Sequence, residues 1–215
     1  EQPWGKNISF DMFCEYLLPY RIDDEPLTYW REEYYEKYNS LLDSLKLSDA
    51  SATLEDPIVA ATYLMKKMLE KKSRYTGTTP LLNNHIGPKY VEYLTGSCRE
   101  LTDFTVYLFR ALGIPCAIDF MPLRGDTNSR HFWATCWDKD GEDYMIDFIG
   151  IPLLTRTSHW LQDGELVKTY RYTFSLNRGM MKEMMTLEKD IYPFWRLPKF
   201  KDVTYLNVNF FQKQL

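Results

Sequence analysis

The hydrophobic period of this chain changes once and sharply, at Gly113-Ile114-Pro115. Upstream, starting at Cys98, residues Leu101, Phe104, Thr105, Leu108 and Leu112 recur at the spacing of one helix face. Gly113 is suited to the residue just past the helix end, and Pro115 confirms the stop. Downstream the period falls from about 3.6 to 2, and residues 116–121, 131–137 and 144–149 read as strands. Asp138-Lys139-Asp140-Gly141 has the composition of a hairpin turn between the last two. Helices come first and hairpin-linked strands follow, so the expected class is α+β: a helical N-terminal part packed on an antiparallel β-sheet.

The rest of the chain fits that order. Trp30, Tyr34, Tyr38, Leu41, Leu42 and Leu45 predict a helix over 28–47, after a helix end and turn at Leu17-Leu18-Pro19 and Asp23-Asp24-Glu25-Pro26. Asp56 is a good N-cap with Pro57 at the first helical position, and Ile58, Ala61, Met65, Met68 and Leu69 form one face of a helix fraying near Lys72. Residues 75–88 read as a loop, 165–174 and 203–211 as alternating strand segments, and the Met-rich 180–187 as helical. Three parts are expected. Residues 1–52 form a helical lead-in, 53–190 a core, and 191–215 a C-terminal strand segment that would open a further β-domain if the chain is a fragment.

Composition excludes some partners. Hydrophobic residues are 45% and charged residues 26%, with net charge -4, as in ordinary soluble domains. The densest basic cluster, Lys66-Lys67 with Lys71-Lys72-Ser73-Arg74, sits at a helix end and is no nucleic-acid footprint. No stretch approaches the roughly 18 apolar residues of a membrane span. Aromatics reach 16%; they can line a peptide or glycan groove, but a large aromatic core accounts for them as well. Cys14, Cys98, Cys116 and Cys136 form no C-x-x-C pair, so zinc-finger and thioredoxin readings fail on spacing. Cys116 and Cys136, on neighbouring strands, are either a disulfide or two small core residues.

Cys98 follows Thr95-Gly96-Ser97 and opens a helix. There the unpaired backbone N–H groups and the helix dipole favour a thiolate over a thiol. A nucleophilic cysteine needs a base, and the histidines are His85, His131 and His159. His131 starts a strand with Trp133 on its own face and Phe132, Ala134 and Cys136 on the other. Asp147, between Ile146 and Phe148, is the carboxylate that could orient it. Parity decides the matter. An odd loop between the two strands puts His131 and Asp147 on one face, opposite or diagonal, whereas a two-residue Asp140-Gly141 turn separates them. An odd loop, or a bulge that restores the parity, is expected.

Four segments in order then resemble the transglutaminase-like core of the papain-like cysteine protease fold. They are Gly96-Ser97-Cys98, the run from Leu108 through Arg110-Ala111-Leu112-Gly113-Ile114-Pro115, His131-Phe132-Trp133, and Ile146-Asp147. The resemblance implies Cys98 as nucleophile, His131 as base and then acid, and Asp147 as the group fixing the tautomer, with the Cys98 N–H donating to the oxyanion. It also implies an upstream side chain completing the oxyanion hole, for which Asn83, Asn84 and His85 are weak candidates. Arg99 ahead of Glu100 departs from the acidic residue that many members carry shortly after the cysteine. No cofactor and no metal are expected. The lead-in, with Leu17-Leu18-Pro19-Tyr20-Arg21 and Trp30-Arg31, is similar to that of exported bacterial members, which implies a periplasmic or cell-surface location.

Three function classes follow. One is a cysteine hydrolase or acyltransferase acting on an amide or isopeptide bond of a polypeptide substrate, with hydrolysis favoured. The second is a weak or inactive version of the same fold that binds protein or glycan. A metal site built on Cys98, His131 and another cysteine is the third, and its non-local spacing counts against it.

Overall fold

The structure is a computed structural model, and it describes residues 2–48, 52–69, 74–76, 87–93, 95–124, 128–147, 167–187, 190–196 and 198–206. The chain begins with a 3-10 turn at Pro3–Asn7, then α1 (Phe10–Met12) running on as a π turn at Phe13–Leu17. α2 (Trp30–Tyr38), a 3-10 turn at Asn39–Leu42 and α3 (Asp43–Ser48) follow. A turn at Ala52–Glu55 leads into α4 (Pro57–Leu69), whose Ile58 N–H is capped by Asp56 Oδ1 at 3.0 Å. Two short strands, β1 (Arg74–Tyr75) and β2 (Thr95–Gly96), pair in parallel on either side of α5 (Pro88–Val91). Then come α6 (Cys98–Ala111), β3 (Cys116–Met121), β4 (His131–Trp137) and β5 (Asp143–Ile146). β6 (Tyr170–Tyr172), α7 (Arg178–Met185), α8 (Pro193–Arg196) and β7 (Phe200–Asp202) complete the order. The main sheet runs β5-β4-β3-β6-β7 and is antiparallel throughout, so the fold is α+β.

α6 is the axis of this arrangement. It packs on β3 and β4 on one side and on α2 and α5 on another, and every residue from Glu100 to Ala111 is buried. The period predicted one apolar side; the helix is in fact enclosed all round, with its polar residues enclosed too. Its C-terminus closes as a Schellman turn: Gly113 sits at φ +80°, Ile114 N–H donates to Phe109 O at 2.9 Å and Gly113 N–H to Arg110 O at 3.4 Å. Trp4 Nε1 donates to the last carbonyl, Leu112 O, at 3.2 Å, so the N-terminal segment covers that end.

Two guanidiniums fasten the lead-in to this axis. Arg110 Nε donates to Tyr16 O (3.0 Å) and to Cys116 O (3.1 Å), Nη2 also reaches Cys116 O (2.9 Å), and Nη1 reaches Pro19 O (3.4 Å). Arg31 Nη1 donates to Arg110 O (3.0 Å), and its Nη2 to the carbonyls of Leu17 (3.1 Å), Leu18 (3.2 Å) and Pro19 (3.1 Å). The carbonyls of Tyr16, Leu17, Leu18 and Pro19 lie at or just past the end of the first helical segment, where intrahelical donors run out. Burial pushes the Arg110 guanidinium down to about 10, which still leaves it charged at neutral pH.

The sheet has two enclosed faces. Cys116, Ile118, Phe120, Phe132, Ala134, Cys136 and Ile146 belong to the main core beneath α6, and Phe120 stacks on its cross-strand partner Phe132 at 5.7 Å. On the other face Arg171 grips both oxygens of Asp119 at 2.7 and 2.8 Å, while Thr135 Oγ1 donates to Asp119 Oδ2 at 2.8 Å. Arg171 lies over the Trp137 ring at 5.0 Å, and Tyr16 packs on that ring at 4.6 Å. Thirteen large aromatics among the described residues, Trp4, Tyr16, Trp30, Tyr34, Tyr38, Phe104, Tyr107, Phe109, Phe120, Phe132, Trp133, Trp137 and Phe200, are buried, and they account for much of the aromatic content as core. Cys116 and Cys136 are directly paired across the strands, free and buried.

Several boundaries differ from expectation. The helix expected over 28–47 is broken by the 3-10 turn at Asn39–Leu42. The last strand among the described residues is Phe200–Asp202, and the start of the strand expected at Val203 is a turn, because the Asp202 carboxylate accepts from Thr204 N–H (2.8 Å), with Leu206 N–H reaching back to Val203 O (3.0 Å). β6 covers only Tyr170–Tyr172. Beyond it Ser175 N–H and hydroxyl go to Glu15, and Phe174 is exposed. Within the stretch read as loop, β1 pairs with β2, and α5 starts at its last residue, Pro88. Residues 70–73, 148–166 and 207–215, which carry the expected fraying near Lys72 and the outer parts of three predicted strands, lie outside the described residues. Among the described residues no helix is long and apolar enough to cross a membrane.

Replacing Arg110 by Met leaves the Tyr16, Pro19 and Cys116 carbonyls short of donors, at about 1–3 kcal/mol for each that water cannot reach. We expect Arg110→Met to lower the unfolding free energy by about 3 kcal/mol in urea titration. Amide exchange should accelerate first across residues 13–19.

Candidate functional site

The N-terminus of α6 is tightly specified. Ser97 is the N-cap: its hydroxyl accepts from Arg99 N–H at 3.3 Å and donates to Glu100 Oε2, which also accepts from Ser97 N–H at 2.7 Å. This is a capping box. Glu100 is thus spent on the helix start. It folds so closely over Gly96 that a Cβ there would stand 2.7 Å from Glu100 Cβ. The glycine two places before Cys98 is therefore a steric requirement of the cap.

Cys98 is the first residue of the helix and is partly exposed. Its backbone N–H has no acceptor among the described residues, as expected for a first-turn donor. Arg99 is engaged elsewhere. Nε pairs with Asp103 at 2.7 Å and Nη2 with Asp23 at 3.5 Å, and the guanidinium lies over Phe132 (5.1 Å) and Tyr172 (5.3 Å). Burial works against this cation, but the two carboxylates and Tyr172 more than offset it and hold Arg99 charged.

His131 and Asp147 are brought together by parity. β4 and β5 pair Trp137 with Asp143 and Ala134 with Ile146, so the connection, residues 138–142, is five long and odd. Asp138 Oδ1 accepts from Asp140 N–H and Glu142 N–H, both at 2.9 Å, and Gly141 adopts φ +84°. Continuing the register sets Asp147 opposite Trp133 and diagonal to His131 on the same face. His131 Nε2 lies 2.7 Å from Asp147 Oδ2, with both residues buried. The carboxylate can only accept, so Nε2 carries the proton and Nδ1 faces the other partner, the Cys98 side chain, with which the imidazole also hydrogen-bonds. Trp133 packs beside the imidazole at 5.8 Å.

The electrostatics of the imidazole are set by opposing effects. Burial favours the neutral ring, but the hydrogen bonds to Asp147 and Cys98 and the charges those groups carry prevail, raising His131 to about 9. The two core thiols behave differently. Burial pushes Cys116 up to about 12, and Cys136 well above its ordinary value. Both are chemically quiet thiols.

Cys98, His131 and Asp147 thus converge. Asn83, Asn84 and His85 lie outside the described residues, as does His159. What the sequence reading missed is the short parallel pair β1–β2. Thr76 N–H donates to Gly96 O at 2.9 Å, fixing the strand that delivers Cys98. Two-residue strands carry too little periodicity to be seen in sequence.

A family model described as the Transglutaminase-like superfamily matches residues 46–147, a span that contains Cys98, His131 and Asp147. Comparison with curated proteins and with solved structures gives no match.

Because the folded-state value of His131 lies above the roughly 6.5 of an unfolded histidine, its pairing stabilises the fold fully below that pH and loses the contribution as pH rises through about 9. Urea midpoints taken at about pH 6, 7.5 and 9.5 should fall across that window in wild type. Asp147→Asn should flatten the fall. Substituting Gly96 by Ala should cost about 1–2 kcal/mol in the same titration, by prising Glu100 off the cap.

Proposed function

With a transglutaminase-like superfamily domain at residues 46–147 as the premise, we propose that the protein is a cysteine enzyme that opens an amide or isopeptide bond of a polypeptide substrate through a Cys98 thioester. The observation that carries this reading is the 2.7 Å contact of His131 Nε2 with Asp147 on a ring whose other side hydrogen-bonds with Cys98 at a helix N-terminus.

In this mechanism the proton shared between Cys98 and His131 rests on His131 Nδ1, since the ring is raised to about 9, and Asp147 steadies the imidazolium through Nε2–H. The sulfur attacks the substrate carbonyl carbon, and the oxygen takes up negative charge facing the Cys98 N–H. When the C–N bond breaks, His131 returns its proton to the leaving amine. Water, or a second amine, then attacks the thioester as His131 takes its proton, and the thiol is restored. Hydrolysis is the outcome we favour, on the likeness of the lead-in to exported bacterial members, and the same likeness makes the periplasm or cell surface the proposed location.

Acylation by p-nitrophenyl acetate, followed as nitrophenolate release and mass gain on intact protein, tests the reading. Cys98→Ala should abolish the mass gain, and His131→Ala should slow acylation by about three orders of magnitude. Asp147→Asn should slow it by at least about tenfold. Added methylamine separates the two outcomes, since free acetate marks hydrolysis and N-methylacetamide marks transfer. A Cys98 that acylates no faster than a free thiol would instead favour a fold retained for binding.

A further inference from the structure

The cations around the site are unequally committed. Arg99 is matched by Asp103 and Asp23, Arg110 and Arg31 by backbone carbonyls, and Arg171 by Asp119. Arg130 is not. It immediately precedes His131, is exposed, and has no carboxylate partner among the described residues.

Its position is nevertheless defined. The alternation of β4 sets residue 130 on the side of Phe132, which is the side occupied by α6. The Arg130 guanidinium lies over the Phe132 ring at 5.8 Å, and Arg99, the neighbour of Cys98, lies over the same ring at 5.1 Å. One ring therefore bridges the start of β4 to the start of α6: Arg130 adjoins His131 in the chain and shares Phe132 with Arg99, the neighbour of Cys98. Cation–π contact restrains the guanidinium and leaves its N–H fork free to donate. A planar fork suits a carboxylate, which it can grip through two parallel hydrogen bonds.

We infer that Arg130 is a substrate-binding residue that selects acyl groups carrying a carboxylate close to the scissile carbonyl. This rests on the reading of Cys98 as the nucleophile. Arg99 cannot take the role, because Asp103 and Asp23 already satisfy it. The substrate is then an acidic peptide segment on the acyl side, and its carboxylate docks on Arg130 as the carbonyl reaches the sulfur.

The test uses two alkylating reagents of nearly the same shape, anionic iodoacetate and neutral iodoacetamide, on the full chain, with Cys98 modification read by peptide mass. The ratio of the iodoacetate rate to the iodoacetamide rate isolates the attraction for a carboxylate from the reactivity of the thiol. We expect Arg130→Gln to lower this ratio about threefold or more, as loss of one charge several ångströms away requires. Arg130→Lys should keep most of it. An unchanged ratio in Arg130→Gln would overturn the assignment while leaving Cys98 as nucleophile. A Cys98 inert to both reagents would overturn the nucleophile itself, and the assignment with it.

Discussion

Everything at the site depends on where α6 is held, and the guanidinium of Arg110 does most of the holding. It is a buried charge that hydrogen-bonds to no carboxylate among the described residues and is matched by the carbonyls of Tyr16, Pro19 and Cys116. Its carbonyl in turn accepts from Arg31. The end of the first helical segment, distant in sequence, is joined there to the last turn of α6 and the first residue of β3. A neutral side chain could fill the volume but could not supply donors in so many directions. The capping box of Ser97 and Glu100 fixes the opposite end. Cys98 thus sits at the tip of a rod clamped at both ends.

The sheet is stabilised by a different device on its far face. A buried ion pair is a poor source of net stability, since desolvating two charges costs several kcal/mol. The Asp119–Arg171 pair is two-pronged, with Thr135 taking a further lone pair, so little of the carboxylate is left unsatisfied. It also sets β3 against β6 in one register, because Asp119 and Arg171 are cross-strand partners. Tyr16 closes over Trp137 beside the pair, so the segment tied down by Arg110 also covers this face.

Much of this was legible in the sequence wherever a single physical rule operated over several residues. The switch of period at Gly113 located α6 and β3 because helix and strand bury side chains at different spacings. The pairing of His131 with Asp147 reduced to whether the turn between their strands was odd. Other features depended on contacts between distant segments. Arg110 was visible in a recurring motif, but nothing near it indicated that its partners would be carbonyls some ninety positions upstream. Asp119, in the middle of an apolar strand, gave no hint of Arg171. The start of the strand predicted at Val203 is a turn instead, because Asp202 bonds the backbone two residues on. Arg99 looked like a departure beside Cys98. It is a packed cation between two acids, and the acidic Glu100 after it belongs to the helix cap.

The five-residue turn at 138–142 carries a consequence for how such a chain can change over evolutionary time. Its residues 139–142 face solvent and could be exchanged, so long as the Asx-type cap from Asp138 and a left-handed position survive. Its length is another matter. Losing or gaining one residue would turn the following strand over and carry the Asp147 carboxylate to the far side of the sheet, while a change of two would restore it. Among descendants of this sequence, drift in composition and drift in length should therefore be uncoupled at this turn, with indels surviving in even steps or alongside a compensating bulge.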